Sequence, residues 1–191
     1  GYVKVMSKTM GAIWITVIAR THIASEISEV SAAAVSVGVL GVMGNKGAAA
    51  VRFCIRGQAV CFLCAHLNAG DHSSNFERRI ADIHDIRAKM VFHECLQYVP
   101  ALLRKQGTQE ANANKSVEII QFHPPISLKH HDKVIWLGDL NFRLRCPAKE
   151  ARQWANDPTH YRALAKTDEL YKAMAAGLVF SGFDEGALKF P

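Results

Sequence analysis

The sequence predicts an α/β fold whose strands pair mostly antiparallel, and three stretches carry that prediction. Residues 48–55 (AAAVRFCI) and 58–66 (QAVCFLCAH) are two β-prone apolar runs around Arg56-Gly57, the pattern of a hairpin. Phe76, Ile80, Ile83, Ile86 and Met90 recur every three or four residues, as the buried stripe of one long helix does. Val134, Ile135, Trp136 and Leu137 form a short run of β-formers broken by Gly138, which reads as a strand buried on both faces.

In chain order, residues 11–20 (GAIWITVIAR) follow a Gly and read as a strand, and residues 29–40 as a second, ending near Gly38. The hairpin comes next, its second strand closing at His66. The helix is expected over about 75–98: Ser74 and Glu77 have capping-box spacing, and Pro100 stands just past the end. Lys105 to His131 is polar, contains Pro124-Pro125 and lacks a sustained period, so it reads as a loop. After the 134–140 strand, Pro147 opens a short helix over AKEARQWA (148–155), and a last helix over about 159–176 closes at Gly177. There are no internal repeats, and all 191 residues are expected in one domain.

Composition bounds the function class. With 49% apolar and 21% charged residues, the chain has the make-up of a soluble globular protein, and no apolar run is long enough to span a membrane. A net charge of +6 suits an anionic partner, without choosing between phosphorylated small molecules, an anionic leaflet and nucleic acid. The N-terminus GYVKVMSKTM has no signal-peptide core and begins without Met, as an excised fragment would. Five cysteines give no paired disulfide framework, which fits a reducing cytoplasm. Cys61 and Cys64 form a C-x-x-C, but residues three apart on a strand face opposite ways and cannot easily clamp one ion.

The chemistry-bearing run is VIWLGDLNFR at 134–143. At a strand end, Asp139 can orient or deprotonate a water, Asn141 can hydrogen-bond an oxyanion, and Arg143 can pair with negative charge. Gly, Asp and Asn also build ordinary turns. Other segments weigh in: GNKG at 44–47, CAHLNAG at 64–70, TDELYKAMAAG at 167–177 and VFSGFDEGALKFP at 179–191. In this order, these motifs resemble the inositol polyphosphate 5-phosphatases, part of the metal-dependent endonuclease/exonuclease/phosphatase superfamily that includes pancreatic deoxyribonuclease. The resemblance covers nearly the whole chain apart from the stretch near 105–131.

The resemblance implies a four-layer sandwich of two β-sheets flanked by helices, deoxyribonuclease-like and incomplete here. It implies that His66 donates a hydrogen bond to the scissile phosphate, that Asp139 activates the attacking water and that Asn141 binds the phosphate in its transition state. Asn45 and Lys46 match the family's N-K-G, where the Lys offers a point charge for a phosphate, and Arg143 joins them as a substrate-binding candidate. Asn68 and Phe142 depart from the family, which often has Ala and Tyr there. Arg78-Arg79 reads as structural, and His22, His130 and His131 read as surface residues.

The resemblance further implies Mg²⁺, held by a Glu expected upstream of this chain, and a downstream Ser-Asp-His that the chain does not reach. The fragment alone is therefore expected to be inactive. Expected partners are inositol phosphates or phosphoinositide headgroups, with peripheral contact at anionic membranes from a cytoplasmic location; neither nucleic acid nor zinc is expected. Two alternatives stay open: a nuclease of the same superfamily, and a degenerate domain kept for binding phosphoinositides or proteins.

Overall fold

A computed structural model describes residues 1–37, 45–98 and 119–186. The described chain forms two compact units, one of residues 1–67 and 85–139, the other of residues 68–84 and 140–191.

The first unit holds both sheets. Strands β1 (Tyr2–Met10) and β2 (Ile13–Arg20) pair antiparallel around a turn with Gly11 at φ +55°, and the short helix α1 (Thr21–Ala24) follows. β1 is absent from the sequence reading for a physical reason. Lys4 pairs with Ile18 and Met6 with Val17, so Val5 is the extra residue of a bulge. Val5 and Met6 both enter the core, which destroys the period-2 alternation that announces a strand.

The larger sheet contains β3 (Ile27–Ser36), β4 (Gly47–Ile55), β5 (Gln58–His66), β6 (Val91–Tyr98), β7 (Ile119–Ser127) and β8 (Lys133–Asp139) in the order β7-β6-β3-β4-β5-β8. Among the described strands all pairings are antiparallel except β5 with β8. The predicted hairpin is β4–β5, turning at Arg56 (φ +51°) and Gly57 (φ +76°). The two sheets pack face to face. Val5 of β1 meets Ile27, Val30, Phe53 and Val60, while Ile13 and Ile15 of β2 meet Ala49 and Val51. Ala48 to Val51 are wholly buried on both faces of the central strand β4, where small side chains let the layers close. Two sheets and mostly antiparallel pairing are as the sequence implied.

Several elements correct the sequence reading. The helix α2 covers Ser73–Lys89, and 91–98 is strand β6, not helix. The helical stripe through Ile83, Ile86 and Met90 is real, but from Val91 the run VFHECLQY is β-prone and pairs with β3 and β7. The supposed loop 105–131 contains β7 and a 3-10 helix at Leu128–His130; its first part, through residue 118, lies outside the described residues, as does the end of the 29–40 strand. Pro124 and Pro125 misled because they remove ladder donors. Here they fall where the β6–β7 register jumps from Phe92↔Ile126 to Glu94↔Gln121, on the outermost described strand. β8 is not buried on both faces: it is the outermost described strand on the other side, with Ile135 37% and Leu137 42% exposed.

His131 is likewise no surface residue. It lies half-buried against Phe92, and its Nε2 accepts a hydrogen bond from Arg52 Nε at 3.1 Å. With that nitrogen accepting, the proton sits on Nδ1, 3.2 Å from the Leu128 carbonyl oxygen. Arg52 is itself buried. It donates to the Glu29 carbonyl at 2.9 Å and to the Glu29 carboxylate at 3.2 Å, and stacks over Phe122. Burial, aided by the Arg52 charge, holds the His131 pKa below the ordinary histidine value. The unfolded chain therefore takes up this proton first as pH falls. The stability tied to neutral His131 is present above about pH 6.5 and drains away below it, toward the lowered folded value. Thermal midpoints are expected to drop on acidification through that window, with a shallower drop in His131→Gln, which accepts from Arg52 without titrating. Equal slopes in the two proteins would contradict this.

In the second unit, α3 spans Ala148–Ala155 after Pro147, as the sequence predicts. The last predicted helix is instead broken into a 3-10 turn (Pro158–His160), α4 (Tyr161–Ala165) and α5 (Glu169–Ala175). Asp168 makes the break: extended at φ −70°, ψ 129°, it caps α5 by accepting from the Leu170 N–H. Gly177, at φ +69°, follows α5 as expected.

Candidate functional site

The parallel pairing of β5 with β8 positions the first cluster. Its register sets His66 beside Asp139 at the carboxyl ends of the two strands, where ligands of parallel strands commonly sit. On the other side of β5, antiparallel β4 starts with Gly47 opposite His66, which brings Lys46 to the same end of the sheet. Three segments distant in sequence thus deliver Lys46, His66 and Asp139 to one place.

Two glycines make this approach possible. A Cβ on Gly138 (φ +125°) would lie 2.0 Å from the Ala65 carbonyl oxygen and 2.7 Å from the Ala65 nitrogen, backbone atoms that cannot swing aside. A Cβ on Gly47 (φ +141°) would lie 2.1 Å from the Val35 carbonyl oxygen. The Gly of the GNKG stretch and the Gly before Asp139 are therefore fixed by close backbone approach. Past His66 the ladder continues, with the Leu67 N–H donating to the Asp139 carbonyl at 3.1 Å.

The side chains converge on one ring nitrogen. Lys46 Nζ stands 2.6 Å from His66 Nε2, and an ammonium has only protons to give, so Nε2 accepts and the imidazole carries its proton on Nδ1. The Asp139 carboxylate lies 3.7 Å from the same Nε2, too far for a hydrogen bond but close for an ion pair were the ring charged. Between these two side chains, Lys46 donates and His66 accepts. Asp139 is 67% exposed in its side chain, and Asn45 is exposed.

Asn141 and Arg143 belong to the second unit and lie together there, Arg143 Nη2 donating to Asn141 Oδ1 at 3.3 Å. Asn141 adopts φ +57°, a conformation asparagine tolerates better than most residues. The Arg143 side chain also meets the Asp71 carboxylate, Nε to Oδ1 3.2 Å. Around them lies a network the sequence reading did not single out, centred on Glu169, which is 5% exposed. Its Oε2 accepts from Arg79 at 2.7 Å and from the Arg143 N–H at 2.9 Å, and its Oε1 from Arg145 Nε at 2.6 Å. Burial pushes the Glu169 pKa up, but these donors win and hold it below the ordinary glutamate value. Arg79, wholly buried, also donates to the Asn68 and Gly70 carbonyls and lies over the Phe142 ring. The only signal for Glu169 in the sequence was its place in the TDEL motif.

The cysteines contribute nothing to these clusters. Cys61 is buried and Cys64 half-buried on β5, and burial pushes the Cys61 thiol up to about 12, so it stays protonated. Among the described residues no three His, Cys, Asp or Glu side chains gather as a ligand group, and Asp139 alone falls short of the oxygen shell Mg²⁺ demands. The described residues do not assemble that site. Titrating Mg²⁺ into this chain and following binding by calorimetry is expected to show no saturable uptake. A dissociation constant on the order of micromolar would overturn this expectation.

Comparison with known proteins gives a consistent set. The model of endonuclease/exonuclease/phosphatase family 2 matches residues 1–191. Type I inositol polyphosphate 5-phosphatase 1 of Arabidopsis thaliana is 31% identical over 189 residues, covering 99% of this chain and 28% of that protein. Type IV inositol polyphosphate 5-phosphatase 3 of the same organism is 32% identical over 190 residues, 100% of this chain and 25% of that protein. This chain thus spans about a quarter of the length of these two curated relatives. Among solved structures, the inositol polyphosphate 5-phosphatase domain of SPsynaptojanin, in complex with inositol (1,4)-bisphosphate and a calcium ion, matches with a TM-score of 0.75 at 25% identity, over all of this chain and 46% of that one. The ferrous NO complex of Cimex nitrophorin matches with a TM-score of 0.62 at 18% identity over 53% of that chain, a likeness of fold alone.

Proposed function

The chain belongs to endonuclease/exonuclease/phosphatase family 2, and on that footing we propose that it carries part of the active site of a phosphoric monoester hydrolase removing the 5-phosphate of inositol polyphosphates and phosphoinositides. One observation carries the proposal most: an ammonium, an imidazole and a carboxylate from three distant segments meet at the ends of two parallel strands. Phosphate hydrolysis needs little covalent chemistry from the protein; its barrier falls through charge neutralisation and positioning.

The residues divide the work by their chemistry. Lys46 is a point charge for a phosphoryl oxygen, and an arriving phosphate competes with His66 Nε2 for its protons. Once Lys46 turns to the phosphate, His66 no longer accepts from it and the ring donates to a second phosphoryl oxygen, the role the family resemblance assigns. Asp139, exposed and acceptor-only when ionised, orients the attacking water and takes its proton. For Asn141 an amide contact to the phosphate in the transition state, and for Asn45 and Arg143 substrate contacts, are proposed on the family resemblance alone. Water attacks phosphorus as its proton passes to Asp139, the bond to the inositol 5-oxygen breaks, and that oxygen takes a proton from solvent. Mg²⁺ dependence is part of the proposal on the strength of the resemblance; the described donors do not assemble the ion's site. A cytoplasmic location is proposed on the five unpaired cysteines, and peripheral contact at anionic membranes on the charge of +6.

The test is phosphate release by the full-length protein from inositol 1,4,5-trisphosphate and from phosphatidylinositol 4,5-bisphosphate vesicles, with plasmid DNA alongside. Release from either inositol substrate with negligible DNA cleavage is expected. Efficient DNA cleavage without inositol phosphate turnover would make the protein a nuclease. Inactivity on all three, with vesicle binding retained, would make it a degenerate binding domain.

A further inference from the structure

The geometry points to Glu169 as a positioning residue: a buried carboxylate that locks the Asn141–Arg143 turn and thereby sets the direction of the Asn141 amide. The inference rests on the proposed role of Asn141 and concerns a residue two helices away in sequence.

Glu169 grips Arg143 from both sides. Its carboxylate accepts the Arg143 N–H at 2.9 Å, and its own N–H donates to the Arg143 carbonyl at 3.0 Å. Both backbone polar groups of Arg143 are thus tied to one residue. The neighbouring backbone is tied as well, through an isolated bridge between Leu144 and Asp168 and an Arg145 N–H to Thr167 carbonyl bond of 2.8 Å. From the anchored Arg143, the guanidinium reaches back to Asn141 Oδ1 at 3.3 Å. With Oδ1 accepting from that side, the Nδ2 protons of Asn141 point elsewhere, as a donor to a phosphoryl oxygen requires.

The anchor is itself held rigid. Arg79 is wholly buried and charged, and its guanidinium spans Glu169 Oε2, the Asn68 and Gly70 carbonyls and the face of Phe142, the residue between Asn141 and Arg143. Arg145 holds the other carboxylate oxygen and, through Nη1, the Asp71 carbonyl at 2.9 Å. A buried charge so fully hydrogen-bonded has one low-energy position. A mere salt bridge for stability would need no bond to the Arg143 N–H; that bond is what connects the network to the turn.

The experiment compares Glu169→Gln, Glu169→Ala and Arg145→Met in the full-length protein, at a temperature where each is folded by circular dichroism. Glu169→Gln keeps an acceptor for the Arg143 N–H; Arg145→Met removes a Glu169 partner without touching the turn. With inositol 1,4,5-trisphosphate as probe, Glu169→Ala is expected to lower kcat by about 10- to 100-fold with KM within about threefold, the cost of a misplaced group. Glu169→Gln should recover most of kcat, and Arg145→Met, which frees one carboxylate oxygen but spares the bond to the Arg143 N–H, should lower kcat by less than Glu169→Ala does. A second readout needs no turnover: the Asn141 side-chain amide resonances should shift in Glu169→Ala and stay near their parent positions in Glu169→Gln. Unchanged kcat in Glu169→Ala, or Asn141 resonances indifferent to it, would overturn the inference. A parent without phosphatase activity would refute the functional reading alone, since the amide resonances still decide whether Glu169 sets the Asn141 turn.

Discussion

Asp139→Ala and His66→Ala are each expected to cut 5-phosphate release by the full-length protein about 10²–10⁴-fold, the usual cost of losing a positioned base or a transition-state donor. The two side chains sit in register on adjacent parallel strands, 3.7 Å apart at their tips, and both are reachable from solvent. Neither is part of the apolar core, so both variants should fold with thermal midpoints near the parent, and the loss should fall on kcat. Lys46→Ala is expected to act differently. A loop ammonium contacts the phosphate in ground and transition states alike, so KM should rise by about tenfold with a smaller effect on kcat. A fall in kcat as deep as that of His66→Ala would mean that Lys46 works mainly through the imidazole it touches at 2.6 Å. Full activity in Asp139→Ala would remove the cluster from the mechanism altogether.

Gly138→Ala is the second large effect. The added methyl would meet two backbone atoms of Ala65 at 2.0 and 2.7 Å, on the residue just before His66, and the chain there runs at φ +125°. Neither strain can be relieved by a rotamer, so β5 and β8 must part. A loss of about 3 kcal/mol or more is expected in denaturant unfolding, together with most of the activity. Gly57→Ala is the matched control. It has a positive φ in the β4–β5 turn but open space around the new Cβ, so about 1 kcal/mol is expected there. If the two substitutions cost the same, the close contact of the strands at Gly138 is not what holds the site together.

Much of the candidate site was legible because its residues are confined by local chemistry. Gly138 and Asn141 announce unusual backbone, and both run at positive φ. His66 and Asp139 close two apolar β-prone runs, so their places at strand ends followed from the pattern. The C-x-x-C pair could be set aside from strand geometry alone, and Cys61 and Cys64 do differ in burial on β5. What the pattern could not give is which strands lie side by side: β5 and β8 are separated by α2, β6 and β7, and only the assembled sheet makes them a parallel pair. The Glu169 hub was invisible for the same reason. A buried carboxylate and a surface one look alike in sequence until the arginines that neutralise it, ninety and twenty-four residues away, arrive.

The errors share a cause. Val5–Met6 form a bulge, Pro124-Pro125 sit in a register jump, and Asp168 caps a new helix in mid-pattern; each breaks a periodicity that tertiary pairing then overrides. By itself the sequence determined the class of fold, the β4–β5 hairpin, the buried stripe of α2 and the residue types that can handle a phosphate, because each depends on neighbours within a few turns of chain. The tertiary structure alone decided the order of strands, the exposed position of β8, the tautomer Lys46 imposes on His66 and the grip of Glu169 on Arg143. These depend on which distant backbones come within hydrogen-bonding reach, and no local pattern encodes that distance.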